Sequence, residues 1–353
     1  GASPEPSAAT GAGTAAGSSV ECRLDSAHDL AALLTALQLK EKDQRDQRVQ
    51  CEASARGLKF VAQSGAKDVV VLGWMLTTSF REFRFSGPGE ELLLKIPVET
   101  LLKCLQIFTE RASLFMRYPC GPSGEMFFTL EEDGAVTECR LRTFMLDEAP
   151  AAFGGFFAPG EPASVLRPAH PEAWYHSLQE FAELDAPDVA LRVTLRATGS
   201  ASESNAAVVV LRAQTLTSDA EVELPRAAFE SLELTAEAIA AGEVTHRYPL
   251  TSVLSSCSRA AKDAKGVKIR FNRDGVMSNQ FILRGRGQAD LFCEALVSPL
   301  ADVAGTPGAA TSGAGEVAGL SMSGAAGAAR SVSDPRGTAG FRGAAGATDS
   351  IGF

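Results

Sequence analysis

Glu131, Glu132 and Asp133 form a run of hard oxygen ligands, the type that holds Mg²⁺ for phosphodiester hydrolysis. They lead straight into Gly134, where a solvated acidic hairpin turn is the common reading, and a metal nuclease needs further carboxylates converging from elsewhere. His170 and His176 stand six apart, not the four that places two ligands on one helical face. Ser255-Ser256-Cys257 lies on an amphipathic stretch with no base partner in view, and no G-x-S-x-G elbow occurs. Gly11–Gly17 (GAGTAAG) has the wrong spacing for a phosphate loop, and no strand precedes it. The seven cysteines (Cys22, Cys51, Cys104, Cys120, Cys139, Cys257 and Cys293) are scattered and include no C-x-x-C, so they read as small core residues in a reducing compartment. Nothing here asks for a metal or a cofactor, and the expectation is that the chain is not an enzyme.

Basic residues offer a different chemistry. From Ser255 to Arg286 there are Arg259, Lys262, Lys265, Lys268, Arg270, Arg273, Arg284 and Arg286 against Asp263 and Asp274. Such a segment serves either phosphate neutralisation on nucleic acid or simply a solvated face. The whole chain has a net charge of −10 and a pI near 5.1, which excludes coating nucleic acid by bulk charge but permits a local patch.

The elements that must position these residues follow from periodicity. Leu30, Leu33, Leu34 and Leu37 predict a helix over 28–39, capped by Asp25 or Ser26. A second opens at Pro97 with Val98, Leu101, Leu102, Leu105 and Phe108 on its stripe. A third, near 171, shows Trp174, Leu178 and Phe181; the fourth opens at Pro249 with Leu250, Val253, Leu254, Cys257, Ala261 and Ala264. Between them the period drops to two, giving strands such as 58–63, 69–76, 80–85, 126–130, 136–142, 189–197, 207–214, 220–224, 266–272, 279–284 and 289–297. Asp133-Gly134 and Asp274-Gly275 are hairpin signals, so neighbouring strands are antiparallel. A unit of strand, helix and three strands recurs roughly every 70–80 residues, and Leu101-Leu102 superposes on Val253-Leu254. The fold class is α+β: antiparallel sheets with the helices on one side.

With 353 residues, 45% hydrophobic and 22% charged, the chain can bury a sizeable core. Its expected divisions are a low-complexity tail over 1–19, a first domain over 20–143, a connector over 144–163, a second domain over 164–300, and a Gly/Ala-rich tail over 301–353, both tails disordered. No apolar run is long enough to span a bilayer, and the N-terminal residues show neither the basic nor the apolar region of a signal peptide.

This organisation resembles the sliding-clamp family, and within it the Rad-one type of subunit of the heterotrimeric DNA-damage checkpoint clamp, a relative of PCNA. The residues that carry the resemblance are 101–108 (LLKCLQIF), the hairpin 127–139 (FFTLEEDGAVTEC) and 177–185 (SLQEFAELD), with a weaker match from Arg247 to Leu296. The resemblance implies two similar domains with four helices inside and sheets outside, three subunits closing into a ring around duplex DNA, two other clamp subunits as partners, a clamp-loader ATPase, and a nuclear location. It implies no enzymatic activity and no membrane. Lys103 matches a channel lysine of the family; Arg259, Lys262 and Lys265 lie off the apolar stripe of the fourth helix, and Lys40 and Lys42 follow the first. These six are the expected DNA-facing residues. Candidate pairing edges are Ser113–Tyr118 and Ala220–Leu224.

There are departures. The first helix has Ala31, Ala32 and Gln38 where replicative clamps carry lysines, and the third has Glu172, Glu180 and Glu183 with no base. A homotrimer, the alternative reading, would set three such acidic helices against phosphates; a heterotrimer lets partners supply the charge. A metal-dependent exonuclease is a further alternative. Phe144, Phe153, Phe156 and Phe157 either border a client groove beside the connector or, the commoner role, pin the connector to its own domain.

Overall fold

Alternating apolar residues make one-faced strands, and one-faced strands must cover a shared core. The computed structural model describes residues 17–39, 47–87, 89, 91–107, 111–121, 124–144, 157, 161–182, 190–197, 207–214, 218–285 and 290–301. The chain divides into two units, 1–301 and 302–353, and all described residues belong to the first. The expected tails lie outside the described residues except for 17–19 and Ala301, and β1 already begins at Ser19.

The first half runs β1 (Ser19–Leu24), α1 (Ala27–Ala36), β2 (Arg48–Ser54), β3 (Gly57–Gln63), β4 (Val69–Leu76), β5 (Glu82–Ser86), β6 (Glu91–Pro97), α2 (Val98–Leu105), β7 (Ser113–Cys120), β8 (Glu125–Glu132) and β9 (Ala135–Leu141). The second runs β10 (Ala163–Pro168), α3 (Pro171–Ala182), β11 (Ala190–Ala197), β12 (Ala207–Gln214), β13 (Asp219–Pro225), β14 (Phe229–Glu233), α4 (Ala236–Ala241), β15 (Glu243–Pro249), α5 (Leu250–Asp263), β16 (Ala264–Asn272), β17 (Met277–Leu283) and β18 (Leu291–Val297). Strand, helix and three strands therefore recur four times, as the spacing predicts, with β5 and β14 added.

Both halves obey one pairing rule. β1 lies between β5 and β7, which continues to β8 and β9; β10 lies between β14 and β16, which continues to β17 and β18. β6, β2, β3 and β4 are neighbours in that order, and so are β15, β11, β12 and β13. All pairs are antiparallel. One pairing joins the halves: β18 runs beside β4 and fuses two sheets into a nine-stranded one, flanked by a five-stranded and a four-stranded sheet. Asp68 reinforces this seam, its carboxylate accepting from Ser64 Oγ and Ser252 Oγ, both at 2.6 Å.

Helix ends follow the sequence closely. Ser26 caps α1 by accepting from the His28 N–H at 3.2 Å. Pro97 and Pro249 each stand at the N-cap, one residue before the first turn where they were expected, and open α2 and α5 alike. The turn at Asp133-Gly134 has both residues at positive φ, the hairpin turn that matches strand twist. The helices form a row: α2 packs on α1, α1 on α5, and α5 on α3. Beneath them Leu33, Leu37, Trp174, Leu178, Phe181, Val253 and Cys257 are buried in one core, each large side chain contributing about 1.5–3 kcal/mol. All seven cysteines are free; burial pushes the Cys22 and Cys257 thiols up to about 12, as suits inert core residues.

Three features depart from expectation. Ser113–Tyr118, taken as an edge, lies inside the five-stranded sheet between β1 and β8; the edges are β5 and β9. The short helix α4, capped by Thr235 and closed by Gly242, was not foreseen. The first helix ends at Ala36, before Leu39. Gly57 has φ 129°, and an added Cβ would sit 2.2 Å from the Met75 carbonyl oxygen. Gly57→Ala is thus expected to cost about 3 kcal/mol in denaturant unfolding; a loss under about 0.5 kcal/mol would show that the backbone relaxes freely.

Candidate nucleic-acid and subunit interfaces

The polar faces of the helix row carry the expected channel residues. Lys103 is exposed in the last turn of α2, four residues after exposed Glu99. Lys262 is exposed in the last turn of α5, beside exposed Asp263. Arg259, one turn earlier, is half-buried and donates from Nη1 to Gln38 Oε1 just past α1, so it also ties two helices together. Burial lowers its pKa below the ordinary arginine value by desolvation. On α3 the exposed residues include Glu172, His176 and Glu180, so the row is balanced on α2 (Lys103 against Glu99), net positive on α5 and negative on α3.

Lys265 differs from expectation. It lies on β16, not at the end of the helix, and pairs with Asp290. The basic segment does not make one patch either. Val267, Ile269 and Phe271 point into the core, so alternation turns Lys268 and Arg270 to the sheet face away from the helices. There Arg270 donates to Glu294 Oε1 at 2.7 Å and to Ser278 Oγ, and Gln280 reaches the same carboxylate at 3.2 Å. Lys40, Lys42, Glu183 and Arg286 lie outside the described residues.

Two connector aromatics are placed on that outer face. Phe157, like Leu72, packs against the cluster of Val61, Val70, Val276 and Leu296, with the Arg270 guanidinium 4.3 Å above its ring. Phe144 exchanges backbone hydrogen bonds with Lys95 on the β6 edge, and Arg48 stacks over it at 4.0 Å. Both pin the connector to its own sheet. Phe153 and Phe156 lie outside the described residues. Glu131 and Glu132 alternate along β8 and Asp133 sits in the exposed turn; among the described residues no group of three or more His, Cys, Asp or Glu is placed to hold a metal ion.

Of the two candidate edges, Ala220–Leu224 lies in β13, an edge of the four-stranded sheet, whereas the edge of the first half is β9 and not Ser113–Tyr118. β9 presents Val136, Glu138 and Arg140 outward, and β13 presents Asp219, Glu221 and Glu223; among the described residues each strand has one neighbouring strand and one open side. The strict acid–apolar alternation of Asp219 to Leu224 was the available signal, since an exposed charged row suits an edge. Arg212 on β12 holds the Asp219 carboxyl below its usual value through a hydrogen bond at 3.1 Å, and lies 3.9 Å from Glu221.

Residues 19–154 match the family Rad1, described as Repair protein Rad1/Rec1/Rad17. No curated protein matches the chain by sequence. Among solved structures, the PCNA2-PCNA3 complex from Sulfolobus tokodaii is similar with a TM-score of 0.58 and 14% identity, covering 79% of this chain and 98% of that one. The Proliferating Cellular Nuclear Antigen of Entamoeba histolytica is similar with a TM-score of 0.60 and 13% identity, covering 80% and 98%. The fold is that of the PCNA-like clamps, α+β with antiparallel sheets.

Proposed function

We propose that the chain is a Rad1-type clamp subunit of DNA-damage checkpoint and repair and one third of a heterotrimeric ring that encircles duplex DNA in the nucleus, a reading supported by the family match over residues 19–154 and by the PCNA-like fold. One observation carries this reading. The β18–β4 seam inside the chain has its counterparts, by the shared pairing rule, in β9 and β13, and both of these are open. A chain that makes the seam once within itself and leaves both halves of a second one free is built for head-to-tail addition, and such additions close into rings when the rotation permits.

In the ring, the helix row faces DNA. Lys103, Arg259 and Lys262 neutralise phosphates without reading sequence, with counterion release as the driving force. Lys40 and Lys42 belong to the same proposed set, and Lys265 contributes less because Asp290 already faces it. The acidic face of α3 leaves part of the lining to the partner subunits. The chain itself is a non-catalytic platform, set on DNA by a loader ATPase.

Native mass of the full chain, alone and after co-expression with the two other checkpoint-clamp subunits, tests this. A monomer that enters a 1:1:1 complex is expected. A stable homotrimer would support the replicative type instead, and a monomer that ignores both partners would remove the clamp assignment.

A further inference from the structure

We infer that the row Asp219, Glu221 and Glu223 on β13 selects a partner edge strand with Lys or Arg at alternate outward positions and rejects a second copy of this chain. The inference rests on the proposed ring, and deepens it by stating which chemistry its joint accepts. The register comes from the chain's own seam. Across that seam, on the outer face, Leu296 lies opposite Val70, Glu294 opposite Leu72, and Phe292 opposite Trp74.

Each seam position has an equivalent on a free edge. β4 and β13 both end at the N-cap of a 3₁₀ turn, Thr77–Ser79 and Arg226–Ala228, so Leu76 corresponds to Pro225. Counting back by twos, Trp74, Leu72 and Val70 correspond to Glu223, Glu221 and Asp219. The closing pairs agree, with Gln63 opposite Val70 and Gln214 opposite Asp219.

For the other strand, Glu21 and Val165 each lie six residues before a helix start, at Ala27 and Pro171. The row Glu21, Arg117, Phe127, Arg140 then superposes on Val165, Arg270, Ser278, Leu296. Arg140 therefore corresponds to Leu296, Glu138 to Glu294, and Val136 to Phe292.

A second copy of the chain seated on β13 would place Arg140 opposite Asp219, Glu138 opposite Glu221, and Val136 opposite Glu223. The central pair is two carboxylates directly opposed across strands, which is destabilising, and the third leaves a carboxylate against an apolar side chain. Arg212 is already engaged with Asp219 and near Glu221 on the same face, so it leaves Glu223 to the incoming strand. A strand with basic side chains at the positions of Glu138 and Val136 answers both carboxylates. The inner side of β13, with Ala220, Val222 and Leu224 packed on the core, sets no such charge requirement.

A charge-swap cycle on the full chain, read by native mass over a concentration series, tests this. The wild type is expected to stay monomeric. Glu138→Lys alone and Glu221→Lys alone each oppose a base to an acid, and each is expected to self-associate at a concentration about tenfold lower or better. Carrying both substitutions opposes two lysines and is expected to return the chain to the monomer, which a mere loss of stability would not mimic. Three singly substituted chains that remain as monomeric as the wild type, with Val136→Lys as the third, would overturn the inference. So would a wild type that assembles by itself. If the 1:1:1 complex forms and is indifferent to Glu221→Lys with Glu223→Lys, the ring stands and the charge selection falls; an about tenfold weaker complex supports both.

Discussion

Replacing Lys103 and Lys262 by glutamate in the assembled clamp is expected to weaken DNA binding about tenfold and to lower the slope of log affinity against log salt by about two, since each lost phosphate contact removes about 0.9. Both side chains are exposed in last turns and neither holds the fold together, so melting temperature should hardly move. Arg259 is a different case. Its bond to Gln38 joins α5 to α1, so Arg259→Gln is expected to cost stability as well as DNA affinity. An unchanged salt slope in the lysine variant would show that α2 and α5 do not meet phosphates.

Trp174→Ala is expected to cost about 3–5 kcal/mol in equilibrium unfolding. The side chain is buried on the inner face of α3, where it shares the core with Leu178 and Phe181. Its Nε1 has no hydrogen-bond partner among the described residues. That sets up a contrast: Trp174→Phe removes an unanswered buried N–H together with part of the ring, and is expected to cost about 1–2 kcal/mol. Equal losses for the two variants would mean that the indole nitrogen is satisfied in solution and that shape alone does not set the cost.

The repeat was the most legible part of the sequence. Pro97 and Pro249 each follow a strand and open an apolar stripe at the same offset, a local signal that survives tertiary packing. Strand order was not legible. Ser113–Tyr118 alternates buried and exposed residues as an edge strand does, but so does any strand with one solvated face, and only the ladder places it between β1 and β8. The basic run after Ser255 misled in the same way. Charge counted along the chain ignores the change of period at Ala264, which sends Lys268 and Arg270 to the face opposite Lys262. The exposure of Lys103 was legible because one helical turn suffices to set it opposite the buried Leu101 and Leu105. The candidate edge Ala220–Leu224 does lie in an edge strand, β13, whereas the β9 edge and the register of the seam required the whole pairing pattern.

Retention of the loaded clamp on nicked circular DNA, before and after the circle is cut at one site, tests encirclement most directly. A closed ring should stay on the circle through a high-salt wash and run off the ends once the DNA is linear. Equal retention on circular and linear DNA would mean that the complex grips DNA rather than surrounds it, and would contradict the clamp function proposed for this chain.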